Sequence, residues 1–142
     1  MLLDLQATTE AEAILEIVKM LRKRGRVTEF YEFASAVMER EGRSSTNTGD
    51  GVAFPHARTD LVPEIVLGIG RSQKGIRFGE SQVPVQLIFL VGVPQRMVTD
   101  YLVCVGTIAR LVRPAAAREA LLEAETPEAL VQLLRTGALQ LE

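Results

Sequence analysis

The run from Val85 to Val93 is apolar at every position but Gln86 and Gly92. It is far shorter than the about 20 residues a bilayer crossing needs, so it reads as a buried strand. A second run, Ile65 to Ser72, carries Val66, Leu67 and Ile69, and the turn signals Gly75, Gly79 and Pro84 separate the two. Both have the character of interior strands of one sheet, and such a sheet needs helices packed against it.

The flanking segments supply them. Thr9 and Glu12 have capping-box spacing, and Ala11, Ile14, Leu15, Val18 and Leu21 recur at helical intervals until Gly25, predicting a helix over 9–24. Phe30, Phe33, Ala34, Val37 and Met38 predict a second helix over 28–41 that stops at Gly42. Val52, Ala53 and Phe54 form a short strand ended by Pro55, because proline cannot continue a central ladder. After the long strands, Leu102, Val105, Ile108, Ala109 and Val112 run in helical register up to Pro114, and 115–124 makes another helix. Thr126 as N-cap and Pro127 as first helical residue open a last helix, expected to stop at Gly137. The expected fold class is α/β, a single central mixed β-sheet flanked by helices, in one domain over residues 1–142.

Charge narrows the partners. The 16 basic and 18 acidic residues are interspersed and give a net charge of -2, so no footprint for nucleic acid or an anionic membrane is present. Proteins or small molecules are the expected partners. The segment Met1 to Leu5 has no basic n-region and no cleavage pattern, so a cytoplasmic location is expected. Cys104, the single cysteine, lies between Val103 and Val105 and reads as a core thiol.

The chemistry centres on His56, the only histidine. It follows the short strand and Pro55, and before that strand lies Arg43-Ser-Ser-Thr-Asn-Thr-Gly-Asp-Gly51, a loop without one apolar side chain. A neutral imidazole is nucleophilic near pH 7, with one ring nitrogen attacking while a hydrogen bond to the other sets the tautomer. Phosphoryl transfer asks for in-line positioning and for donors to the phosphoryl oxygens. Arg40 or Arg58 could offer a forked guanidinium, and Ser44, Ser45, Thr46, Thr48 and the N–H groups of Gly49 and Gly51 could offer neutral donors. On residue types alone an ordinary surface or core histidine remains the commoner explanation. Metal binding is disfavoured, since only Glu41, Asp50 and Asp60 stand near as carboxylates; no metal and no cofactor is expected.

The run Gly51-Val-Ala-Phe-Pro-His-Ala-Arg58, preceded by Arg40-Glu41 and the Ser/Thr/Gly loop, resembles the signature of type-2 EIIA domains of the bacterial phosphotransferase system, in the fructose, mannitol and nitrogen-related branch. Ile69-Gly-Arg-Ser72, Gly75-Ile-Arg-Phe-Gly79, Pro84 to Leu90 and Tyr101 to Arg110 resemble the family's later segments in the same order. The resemblance implies a phosphotransferase component that accepts a phosphoryl group from phospho-HPr on His56 and passes it to an EIIB partner of a sugar permease. It implies that Arg40 steadies the phosphohistidine, with Arg43 and Arg58 as weaker candidates. Where the family often has a second histidine followed by leucine, this chain has Tyr101-Leu102. A phenol can donate to a phosphoryl oxygen but does not take up a proton near neutral pH; an amphipathic rim residue is the plain alternative.

Two further readings stay open: a nitrogen-type or EIIA-like regulatory domain whose His56 phosphorylation state controls protein binding, and a degenerate structural domain with an idle histidine. A carrier also needs a small apolar docking rim, for which Phe54, Phe78, Met97 and Val98 are candidates, the two phenylalanines being core candidates as well.

Overall fold

The computed structural model describes residues 1–141. Its elements are α1 (Glu10–Lys23), α2 (Phe30–Arg43), β1 (Val52–Ala53), β2 (His56–Arg58), β3 (Val66–Ile76), β4 (Val85–Val93), a 3-10 turn (Gln95–Met97), α3 (Val98–Leu111), α4 (Ala115–Glu123) and α5 (Pro127–Leu141). They group into two units, Met1–Val98 and Thr99–Glu142, and the first holds the whole sheet. The α/β class with a mixed sheet is as the sequence predicts.

The apolar run Val85 to Val93 is the centre of that sheet. β3 pairs with β4 antiparallel along one edge, while β1 and β2 both pair with it in parallel along the other. Val52 faces Leu87 and His56 faces Val91, so β1 and β2 keep one register and form a single strand with a gap. Pro55 therefore interrupts the strand and does not end it. Proline removes one N–H from the ladder, yet its carbonyl still accepts from Val91 N–H at 2.9 Å. His56, expected just past a strand end, is the first residue of the resumed strand.

Helices α1 and α2 cover one face. Ala13, Ile14, Ile17, Val18 and Leu21 from α1 and Phe33, Ala34 and Val37 from α2 share a buried core with Ala53, Ala57, Ile88 and Leu90 of the sheet. Thr9 caps α1 as its spacing predicts, its hydroxyl accepting from Glu12 N–H at 3.2 Å. The helices approach closely where glycines leave the sheet face beneath them without a side chain. A Cβ on Gly68 would lie 2.6 Å from Ile17 Cγ2, and one on Gly92 would lie 2.7 Å from Phe33 Cε1. On the edge of β3 away from β4, Leu2 N–H donates to the Ile69 carbonyl at 2.8 Å and Leu5 N–H to that of Arg71 at 2.9 Å.

Two expected helix stops fail. α2 runs through Gly42 to Arg43, and α5 runs through Gly137. The Arg40 guanidinium donates from Nη1 to the Ser44 carbonyl at 2.9 Å, which holds the last turn of α2 without help from glycine. Within the second unit, Gly137 serves packing: a Cβ there would sit 2.7 Å from Leu111 Cδ2. Thr126 caps α5 as predicted, accepting from Ala129 N–H at 3.0 Å. Arg118 ties the turn before α4 through the carbonyls of Val112 and Arg113. Cys104 in α3 is half-buried, and burial pushes its thiol pKa up.

Candidate functional site

Ala57 is buried in the core shared with α2, which brings β2 alongside the last two turns of that helix. Ala36, Glu39, Arg40 and Arg43 recur on one face of α2 at helical spacing. Together with His56, Ala57 and Arg58 they line an open cavity of about 390 Å³. Sequence reasoning placed His56, Arg40 and Arg58 in a common site, and the structure brings these three together. It adds Glu39, a missed residue whose signal was its position on the same helical face as Arg43. Glu39 Oε1 accepts from Arg43 Nη2 at 3.3 Å. Both side chains are about 70 % exposed (70% and 73%), so this pair contributes only about 0.3–0.5 kcal/mol to the helix.

His56 is half-buried, and its Nδ1 lies 3.0 Å from the Phe54 carbonyl oxygen. A carbonyl can only accept, so Nδ1 carries the proton and donates, which assigns the nucleophilic lone pair to Nε2. Burial holds the imidazole pKa below its ordinary 6.5; the Phe54 bond opposes this, and the guanidinium charges of Arg40 and Arg58 push the same way as burial. The shift favours the neutral ring at neutral pH.

The polar loop does something other than what its composition suggested. In β1 and β2 the backbone groups of alternate residues point away from β4, toward an edge that no strand among the described residues pairs with. Thr48 covers that edge at Val52, whose carbonyl accepts from the Thr48 N–H at 2.9 Å, while the Thr48 hydroxyl donates to the Asp50 carboxylate. Thr46 covers it at Phe54, where its hydroxyl accepts from Phe54 N–H at 3.0 Å. Gly49 N–H donates to Asn47 Oδ1 at 2.8 Å. Thr46 and Thr48, expected as donors to a phosphoryl group, are thus committed to the strand edge and Gly49 to the loop itself, and none of the three lines the cavity. Their residue types advertise donors, and only the fold shows where the donors are spent.

The same loop accounts for Glu41, a carboxylate only 3 % exposed. It accepts from Thr46 N–H at 2.8 Å and from the Thr46 hydroxyl at 2.9 Å. Burial raises its pKa, the Thr46 bonds offset part of that, and the Glu10 carboxylate adds to the rise while Arg40 lowers it. No group of three or more His, Cys, Asp or Glu able to hold a metal exists among the described residues. Phe54 and Phe78 are core residues at 6 % and 0 % exposure, Phe54 stacking on Phe89, so neither forms a docking rim. Met97 and Val98 are half-buried, as is Tyr101 in the first turn of α3.

Comparison with known proteins places the sequence and the fold. The chain is 32% identical over 127 residues to the fructose-specific EIIA component of Haloferax volcanii, covering 89% of this chain and 82% of that protein. It is 28% identical over 133 residues to the fructose-specific EIIABC component of Bacillus subtilis, covering 93% of this chain but spanning only 21% of that protein's length. Among solved structures it superposes on the nitrogen regulatory protein IIA-Ntr of Neisseria meningitidis with a TM-score of 0.86 at 25% identity, covering 94% of this chain and 91% of that one. It shares its fold with mannitol enzyme IIA of Escherichia coli in complex with phosphorylated enzyme IIB, with a TM-score of 0.82 at 22% identity over 95% and 93% of the two chains. The family model described as phosphoenolpyruvate-dependent sugar phosphotransferase system, EIIA 2, matches residues 1–137, and the chain belongs to that family.

Proposed function

We propose that the chain is a phosphocarrier that acts as one EIIA unit in the cytoplasm, accepting a phosphoryl group on His56 Nε2 from a phospho-HPr-type donor and passing it to an EIIB partner. The observation that carries this reading is the 3.0 Å bond from His56 Nδ1 to the Phe54 carbonyl, beside a cavity lined by Arg40, Arg43 and Arg58. In the forward step a bond forms between Nε2 and phosphorus as the donor's nitrogen–phosphorus bond breaks. Positive charge develops on the imidazole, and the Phe54 carbonyl dipole meets it at Nδ1. The Arg40 guanidinium, fixed by its anchor on Ser44, meets the phosphoryl oxygens, with Arg58 beside it and the exposed Arg43 adding little. Transfer to EIIB reverses these bond changes. No cofactor takes part.

The test combines the purified chain with phosphoenolpyruvate, EI and HPr. Intact mass should show one acid-labile phosphoryl adduct, absent in His56→Ala. No adduct from a competent HPr would defeat the carrier reading and leave a degenerate domain.

The likeness to IIA-Ntr favours one second reading, in which the phosphorylation state of His56 decides which protein the chain binds. The phosphorylated chain then keeps its phosphoryl group when EIIB domains are added, whereas a transport carrier loses it.

A further inference from the structure

Glu41 is a buried carboxylate that the proposed chemistry leaves without a task, and it lies at one end of a chain of hydrogen bonds that finishes on His56. Its carboxylate accepts from the Thr46 hydroxyl at 2.9 Å. The Phe54 N–H can only donate, so the hydroxyl accepts it at 3.0 Å and gives its own proton to the Glu41 carboxylate. The carbonyl of the same residue 54 accepts from His56 Nδ1 at 3.0 Å. Both outward-pointing backbone groups of Phe54 are therefore held by side chains, at a place where the sheet offers no strand to hold them. Pro55 next in sequence restricts Phe54 to extended backbone, and within that range the groups bonded to the Phe54 N–H and carbonyl set their final orientation.

We infer that Glu41 and Thr46 are positioning residues for His56: they fix the residue 54 backbone so that its carbonyl holds the imidazole in the Nδ1–H tautomer with Nε2 as the nucleophile. The consequence for phosphoryl transfer rests on the phosphocarrier reading; the consequence for the tautomer does not. Thr46 does not line the cavity and bonds Phe54 directly, so it acts through Phe54.

The experiment reads the two consequences separately. Two-bond 1H–15N correlation spectra of the unphosphorylated chain at pH 8 report which His56 nitrogen bears the proton, and initial rates of phosphorylation by phospho-HPr report transfer. Thr46→Val keeps the shape and removes the hydroxyl. It should give a mixture of tautomers and a drop in rate on the order of tenfold, the scale set by loss of positioning at a reacting atom. Thr46→Ser should restore both. A folded Thr46→Val with the wild-type tautomer would overturn the inference, as would a serine variant that behaves like valine. If valine prevents folding, Thr46→Ala is read against Thr46→Ser by the same criteria. A shifted tautomer in a system where even the wild type takes no phosphoryl group supports the positioning and defeats the carrier reading instead.

Discussion

At the scale of the residue, the site is a neutral imidazole set among three guanidiniums, and each part has a measurable signature. Burial first, then Arg40 and Arg58, hold the His56 pKa below 6.5. Because only the neutral ring has a lone pair on Nε2, an NMR titration of the His56 Cε1–H resonance should give a midpoint below 6.5, and acceptance of phosphoryl should be lost only on the acid side of that midpoint. Arg40→Ala should slow phosphorylation by about a hundredfold in initial-rate assays, the usual cost of one fixed donor to a developing anion. Arg43→Ala should change it by no more than about twofold, since that side chain is 70% exposed and screened. His56 and Arg40 were legible in the sequence, one as the sole histidine in a motif and the other as its companion in an Arg-Glu pair. Glu41 was visible but not interpretable. A buried carboxylate is recognised only by what surrounds it, and Thr46 lies in a loop whose path no periodicity encodes.

At the scale of the element, glycine shows what a sequence can and cannot say. Gly42 and Gly137 were expected to stop helices, and both lie within them. A glycine costs a helix only about 1 kcal/mol relative to alanine, which tertiary contacts readily override. Gly68 and Gly92 carried no local signal, yet they let Ile17 and Phe33 rest against the sheet. Gly68→Ala should destabilise the fold by about 1–3 kcal/mol in urea unfolding, since Ile17 would have to move from a site 2.6 Å away. The buried run of β4 and the caps at Thr9 and Thr126 were legible because burial and capping are written in adjacent residues. The rejoined strand across Pro55 was not, because its continuity rests on register with β4, some 35 positions later.

At the scale of the whole molecule, His56 links the site to global stability. Its folded pKa lies below the unfolded value near 6.5, so the unfolded chain binds the proton more readily and stability is lost as pH falls through and below that value. Urea midpoints measured at pH 7.5 and 5.5 should therefore drop further for the wild type than for His56→Gln. Secondary structure places the sheet between two covered edges, one sealed by Leu2 and Leu5 on β3 and the other by the threonine loop and His56 on β1 and β2. An apolar strand with open rungs recruits a second chain and seeds fibres. Here the imidazole occupies the Phe54 carbonyl through Nδ1; in the proposed carrier the phosphoryl group would sit on Nε2, so this covered rung of the edge would stay closed with the group on or off.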